Sequence, residues 1–225
     1  MTLRVRGKMM ALEKLKVNPA KVHGWYVYHA VKRLFDIIAS AIGLILLSPL
    51  FLFLIIKIRH EDGGPVFYSQ ERIGKNEKPF KMWKFRSMVV NADQMIDQLE
   101  DQNEINGAMF KIKDDPRITK IGHTIRKYSL DELPQLYNVL IGDMSLVGPR
   151  PPLPSEVEEY TDYDKQRLLV MPGCTGLWQV TKRNEADFDE MVWLDIVYIN
   201  HSGAFEDLKL IIKTVLIMVH PNGAY

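Results

Sequence analysis

The chain has 225 residues, with 29 Lys and Arg against 28 Asp and Glu, long enough for one catalytic domain with a sizeable core and short for two. A lone cysteine, Cys174, rules out an intrachain disulfide, and six histidines with no pair at helical spacing argue against a zinc centre. The net charge of +1 hides a local asymmetry: residues 1–33 hold eight cations (Arg4, Arg6, Lys8, Lys14, Lys16, Lys21, Lys32 and Arg33) against the single acid Glu13.

Residues 1–33 therefore read as a basic N-terminal arm suited to nucleic acid, an anionic membrane surface or plain solubility, and the next segment favours the membrane. From Ile37 to Ile56 run twenty uncharged residues, IIASAIGLILLSPLFLFLII. At about 1.5 Å per residue they just cross a hydrocarbon core of about 30 Å. The run starts too far from Met1, and lacks the small-residue cleavage site, for a signal peptide. Ser48-Pro49 interrupts it: Pro49 lacks an N–H and crowds the preceding turn, while the Ser48 hydroxyl can serve the freed carbonyl. Both flanks are basic, Lys32 and Arg33 before and Lys57 and Arg59 after, so charge bias selects no orientation. Two readings follow, a re-entrant helix with both ends on the cytosolic side and a proline-kinked single pass.

EDGGP (61–65) breaks structure, and PVFYSQERIG and KPFKMWKFRSM then flank the polar turn Lys75-Asn76-Glu77, predicting a β-hairpin. Lys81, Lys84 and Arg86 on its second strand alternate poorly and suit solubility or lipid headgroups. Residues 88–105 predict a helix, with Met88, Ala92, Met95, Ile96 and Leu99 on one face and Asp93, Asp97, Glu100 and Asp101 outward. Asp115-Pro116 marks the start of another, with Ile118, Ile121 and Ile125 buried and Arg126 and Lys127 at its end near Tyr128. The following helix carries Leu133, Leu136, Tyr137 and Leu140, with Asp131 and Glu132 in its first turn. Beyond Gly142 the chain turns rich in Pro and Gly, through GPRPPLP (148–154) and MPGCTGLW (171–178), the kind of long loop that carries function. At the C-terminal end DLKLIIKTVLIMVH (207–220) sets Lys209 and Lys213 apart from Leu208, Ile211, Ile212, Val215 and Val219, which suits either a membrane surface or a core helix. No G-x-x-x-x-G-K-[ST] or G-x-G-x-x-G stands in the chain, so neither loop binds a nucleotide here.

Asp131 and Glu132 admit two readings. S-L-D-E (129–132) matches a capping box, although Pro134 would then fall beyond the turn that tolerates proline. Alternatively, a carboxylate beside Arg126 stays ionised and acts as a nucleophile while its neighbour holds a divalent cation. Arg126 and Arg150 are candidate phosphate clamps, since guanidinium groups meet phosphate oxygens in pairs, and Pro149 and Pro151 limit the backbone around Arg150. A solvent-facing arginine on a polyproline stretch is the plain alternative for Arg150.

Together KRLFDIIASAIGLILLSPLFLFLIIKI, GPVFYSQERIGKNEKPFKMWKFRSM, DPRITKIGHTIRKYSLDELPQLYNVLIGDMSLVGPRPPLP and MPGCTGLWQV resemble the monotopic phosphoglycosyl transferases, a family of bacterial sugar transferases. The resemblance runs over about residues 31–225, including the closing GAY, and rests most on the D-E-L-P-Q and G-P-R-P segments. It implies an α+β, mainly α fold: a re-entrant membrane helix kinked at Ser48-Pro49 (34–60) between the basic arm (1–33) and a small cytosolic catalytic domain (61–225), with the β-hairpin and interfacial amphipathic helices. It implies a monotopic enzyme on the cytosolic face of the bacterial cell membrane, dependent on Mg²⁺ held at Asp131 and Glu132. Asp131 would attack the sugar-linked phosphorus of a UDP-sugar, UMP would leave, and undecaprenyl phosphate would take the phosphosugar, initiating exopolysaccharide, capsule or glycoconjugate synthesis. Arg126 and Arg150 would hold phosphates, with Pro149 and Pro151 in the loop beside the nucleotide. Galactose is preferred over glucose as the sugar, and membrane lipids rather than nucleic acid are the expected surroundings. The chain resembles a minimal form without a multi-helix N-terminal region, its arm offering Trp25, Tyr26 and Tyr28 as interface anchors. Rival expectations are a membrane-tethered interaction protein without catalysis, a lipid phosphatase, or a metal-dependent glycosyltransferase.

Overall fold

The computed structural model describes residues 2–5, 8–11, 15–95, 115–182 and 186–219. Strands β1 (Thr2–Val5) and β2 (Lys8–Ala11) pair antiparallel. Helix α1 (Pro19–His23), capped by the Asn18 side chain, leads into α2 (Tyr26–Leu46) and, across Leu47, α3 (Ser48–Asp62). The long helix thus begins before residue 34. Among the described residues no single helix is long and apolar enough to cross a bilayer, but the pair α2–α3, bent by 59°, meets that test together. The break has the expected cause. Pro49 sits in the first turn of α3, and Ser48 Oγ donates to the Ile45 carbonyl at 2.7 Å, the acceptor that residue 49 would use in an unbroken helix.

Helix α2 is polar toward the protein and apolar outward, the reverse of a soluble surface helix. Asp36 and Ser40 are buried, while Val27, Val31, Leu34, Phe35, Ile38 and Ile42 stand exposed. Lys32 pairs with Asp207 at 2.7 Å, Arg33 donates to the Val139 and Leu140 carbonyls at 2.6 and 2.9 Å, and Asp36 accepts from the Leu146 N–H at 3.0 Å. Lys32 and Arg33, read as cations flanking a membrane run, instead bind the helix to the domain. Tyr28 likewise turns inward and donates to Asp207 at 2.7 Å, whereas Trp25 and Tyr26 remain exposed.

The predicted hairpin is formed by β3 (Phe67–Ile73) and β4 (Pro79–Phe85), in register from Phe67 opposite Phe85 to Ile73 opposite Pro79. Lys75–Glu77 makes its single 3₁₀ turn. Within the 88–105 segment, Met88 forms a bridge with Ile118 and only Ala92–Met95 is helical, as one 3₁₀ turn; residues 96–105 lie outside the described residues. Helix α4 (Lys120–Lys127) starts from Thr119, whose hydroxyl accepts from the Gly122 N–H at 3.0 Å. Asp115 does not cap it, because Arg117 holds that carboxylate, Nε at 2.9 Å and Nη2 at 2.7 Å.

Helix α5 (Gln135–Ile141) and β5 (Ser145–Val147) follow. After α6 (Pro154–Glu158), the chain returns to lay β6 (Gly173–Thr175) parallel to β5 and continues as α7 (Leu177–Thr181), α8 (Phe188–His201) and α9 (Ala204–Val219). The result is mainly helical with small two-stranded sheets. Val192, Ile196 and Ile199 of α8 form the main core with Val147 and Leu210. A second cluster, Leu54, Ile58, Phe85 and Ile125, fixes α3 against the hairpin and α4. Helix α9 turns Asp207 and Leu210 inward and exposes Leu208, Ile212, Val215, Leu216 and Val219. Ile211, expected on that outer face, packs against the core.

Candidate active site

Asp131 and Glu132 lie on a separate 3₁₀ turn, Leu130–Glu132, between α4 and α5. Ser129 enters the turn in the left-handed region, φ 54°, and its side chain makes no capping bond. The capping-box reading fails for the reason Pro134 suggests: α5 starts after that proline, so the acids stand one turn ahead of the helix. A left-handed non-glycine residue is uncommon and gathers at functional sites, where surrounding structure holds it.

Strand β4 supplies the nearest counter-charge. Lys84 Nζ lies 2.7 Å from Glu132 Oε1. Of the three cations on this strand and its end, Lys81 is exposed, Arg86 is buried on Asp62, and Lys84 serves the site. The strand is held by Asn138, fully buried, which accepts from the Trp83 N–H at 3.0 Å and donates to the Lys81 carbonyl at 2.7 Å. Burial pushes the Asp131 carboxyl up to about 6, with Glu132 adding to the rise and Lys84 and Arg126 opposing it. Burial acts on Glu132 in the same sense, but Lys84, Arg150 and Arg72 outweigh it and hold Glu132 below the usual carboxylate range. The neighbouring carboxyls are therefore driven apart, a pattern found where one is to react and the other to stay charged.

The loop carrying Arg150 is pinned at four successive carbonyls. Pro149 accepts from the Gly173 N–H at 2.8 Å, Arg150 from Arg167 Nη2 at 3.3 Å, Pro151 from Arg72 Nη1 at 3.2 Å, and Pro152 from the Ile73 N–H at 2.9 Å. Pro149 and Pro151 are buried and Arg150 is half-buried, so the solvent-facing reading of Arg150 fails. Gly148 and Gly173 are required by closeness: a Cβ on either would collide with the other segment's backbone. GPRP and PGCTG are thus two halves of one structure. Between them and α9 opens a cavity of about 360 Å³, with Glu132, Arg150 and Gln179 among its polar lining and Leu133, Leu136, Val215 and Met218 among its apolar lining.

The structure brings Glu132 and Arg150 together on one cavity and sets Arg126, at the end of α4, close enough for its charge to favour ionised Asp131. Sequence reasoning missed Lys84 and Arg72, and the second is 6% exposed beside the Arg150 loop. Their signal was available only as cations on a hairpin with aromatic neighbours. Ser48 and Pro49 lie at the helix break. Among the described residues no cluster of three or more His, Cys, Asp or Glu forms a self-sufficient metal cage. Two adjacent carboxylates suit a hard cation whose remaining ligands come from phosphate and water.

Two carboxylates under the influence of four cations, with Glu132 opening on a cavity of mixed polar and apolar lining, have the make-up of a phosphate-handling site. The family model described as bacterial sugar transferase matches residues 27–221, and the chain belongs to that family. A galactosyl transferase, CpsE, of Streptococcus agalactiae is 50% identical over 200 residues, 88% of this chain and 44% of that protein. Undecaprenyl-phosphate galactose phosphotransferase of Salmonella typhimurium is 46% identical, over 87% of this chain and 42% of its own. The chain spans less than half the length of these two relatives. The exopolysaccharide production protein ExoY of Rhizobium meliloti is 40% identical, over 86% of this chain and 88% of its own.

Proposed function

We propose that the chain transfers a sugar 1-phosphate from a UDP-sugar to undecaprenyl phosphate at the cytosolic face of a bacterial membrane. The carrying observation is the Asp131–Glu132 pair, split in proton affinity and ringed by Lys84, Arg72, Arg126 and Arg150. An Asp131 carboxylate oxygen attacks the sugar-linked phosphorus, the phosphoanhydride bond breaks, and UMP leaves with the bonding electrons. An acceptor phosphate oxygen then attacks the same phosphorus, and Asp131 departs as a carboxylate. A covalent intermediate lets one interfacial site meet a soluble donor and a lipid acceptor in turn. With its pKa about 6, Asp131 is ionised at neutral pH while being poorly solvated, which favours attack. Arg126 and Arg150 orient phosphates and balance their charge. Mg²⁺, held by Asp131 and Glu132 together with substrate phosphates, would neutralise charge on the donor's diphosphate and on the departing UMP.

The relatives' names support donor and acceptor: besides the galactose phosphotransferase, a UDP-galactose-lipid carrier transferase of Erwinia amylovora is 41% identical. Galactose is our first choice of sugar, and exopolysaccharide or capsule synthesis the setting. Helix α2, with its polar side on the domain and its apolar side outward, supports membrane insertion. If α2 and α3 enter and leave by one face, a 59° bend inclines each by about 30° to the membrane plane. The thirteen residues Leu34–Leu46, about 20 Å of helix, then descend only about 10 Å, within one leaflet.

The test offers a panel of UDP-sugars with undecaprenyl phosphate and Mg²⁺ and identifies the small product. UMP with UDP-galactose supports the proposal; UDP, inorganic phosphate or no turnover with any donor overturns it.

A further inference from the structure

We propose that the cavity beside Glu132 is the acceptor's berth, with α9 as its membrane-side wall; this deepens the reading above and rests on it. Its lining is chemically mixed. Arg150, Glu132 and Gln179 supply polar groups, and Val215 and Met218 of α9 and Leu136 of α5 supply apolar ones. Trp178 also lines it, and its indole Nε1 is buried with no hydrogen-bond partner among the described residues. An orphaned buried donor is costly, and an anionic oxygen would satisfy it. The volume of about 360 Å³ equals the liquid share of about twelve waters, room for a phosphate and the first few carbons of a chain.

The rest of the occupant must leave the cavity, and the surface shows by which route. Val215 belongs both to the lining and to the exposed apolar face of α9, where Leu208, Ile212, Leu216 and Val219 continue it. A cation in the lining, Arg150, and an apolar exit at Val215 that runs onto the exposed face of α9 fit a phosphate on a single long hydrocarbon chain. The polyprenyl phosphate would seat its phosphate by Arg150, lay its first units between α5 and α9, and trail its tail over α9 into the bilayer.

Two measurements on the full chain in nanodiscs test this. In a Cys174→Ser background, Met218→Cys is labelled with a maleimide while undecaprenyl phosphate or, at equal mole fraction, phosphatidylglycerol is added. Slowing of labelling by undecaprenyl phosphate alone is expected; no protection, or equal protection by the diacyl lipid, overturns the proposal. Separately, Val215→Trp at the rim should form the covalent adduct with UDP-sugar at the wild-type rate, yet discharge it to undecaprenyl phosphate about tenfold more slowly or worse. Discharge at the wild-type rate, or equal loss in both half-reactions, also overturns it. A wild-type enzyme that forms no adduct would remove the covalent mechanism on its own, while cysteine protection still decides the cavity.

Discussion

Arg167→Met is expected to weaken the fold and the Arg150 loop together, and a second substitution should separate the two effects. Arg167 lies 2.5 Å from Asp195, their side chains 5% and 0% exposed. It also donates to the Tyr160 hydroxyl at 3.0 Å and to the Arg150 carbonyl at 3.3 Å. Removing the guanidinium strands a buried carboxylate, which costs about 3–5 kcal/mol. For a chain of this size that lowers Tm by about 6–20 °C. Burial holds Asp195 up to about 6 even beside Arg167, and without that cation it rises further. A folded-state pKa above the unfolded value of about 3.9 means that protonation favours the folded chain. The stability it gives is full below that unfolded value and is lost as pH rises through the folded one. The variant should therefore recover stability on moving from about pH 8 to about pH 5, more steeply than wild type. Adding Asp195→Leu removes the stranded charge and should return stability to within about 1 kcal/mol of wild type. The Arg150 carbonyl still lacks its donor, so KM for the UDP-sugar should stay raised by about tenfold. Thermal unfolding by circular dichroism at both pH values and UMP release provide the readouts. A double variant with wild-type KM refutes the positioning role, and a pH-independent loss in the single variant refutes the burial argument.

Lys84→Met should shift the acid limb of adduct formation to higher pH, because Lys84 is the cation that most opposes the rise of Asp131; stopped-quench rates against pH check this, and an unmoved limb contradicts it. Gly173→Ala should cost about 2 kcal/mol or more by forcing the Arg150 loop off β6, read as a lower denaturation midpoint; wild-type stability would contradict the close approach. In a Cys174→Ser background, cysteines replacing Lys57 and Tyr26 should both resist an impermeant thiol reagent in intact cells and both react in inverted vesicles. Opposite labelling would mean a spanning helix. Pro49→Leu restores a full bond ladder and should move some molecules toward that spanning state.

The elements that announce themselves locally were readable from the sequence. Ser48-Pro49 marked the break and even its repair, since proline chemistry and a hydroxyl three residues past Ile45 need no tertiary context. The β3–β4 hairpin was equally local, an alternation of aromatics around a polar turn. What stayed hidden depends on partners far along the chain. Lys84 looked like a surface lysine because its partner, Glu132, lies 48 residues away. The β5–β6 pair has only three residues per strand and looked like loop, because its bonds join Ser145 to Gly173 across an intervening helix. Asp115 looked like a cap, but Arg117 claims its carboxylate and leaves Thr119 to start α4. Lys32 and Arg33 looked like the basic flank of an apolar run because sequence does not reveal which side of that helix the domain will occupy.

The nucleophile can be tested without any acceptor, by mixing the chain with UDP-galactose and Mg²⁺ and recording its intact mass while UMP is quantified. Wild-type protein should gain one phosphohexose and release one UMP per adduct, at a rate rising with pH as the Asp131 carboxyl ionises. Asp131→Asn should gain nothing while unfolding at a temperature no lower than wild type, since it removes a buried charge. An adduct of normal yield in Asp131→Asn, or wild-type turnover with no adduct at any time, would contradict the account.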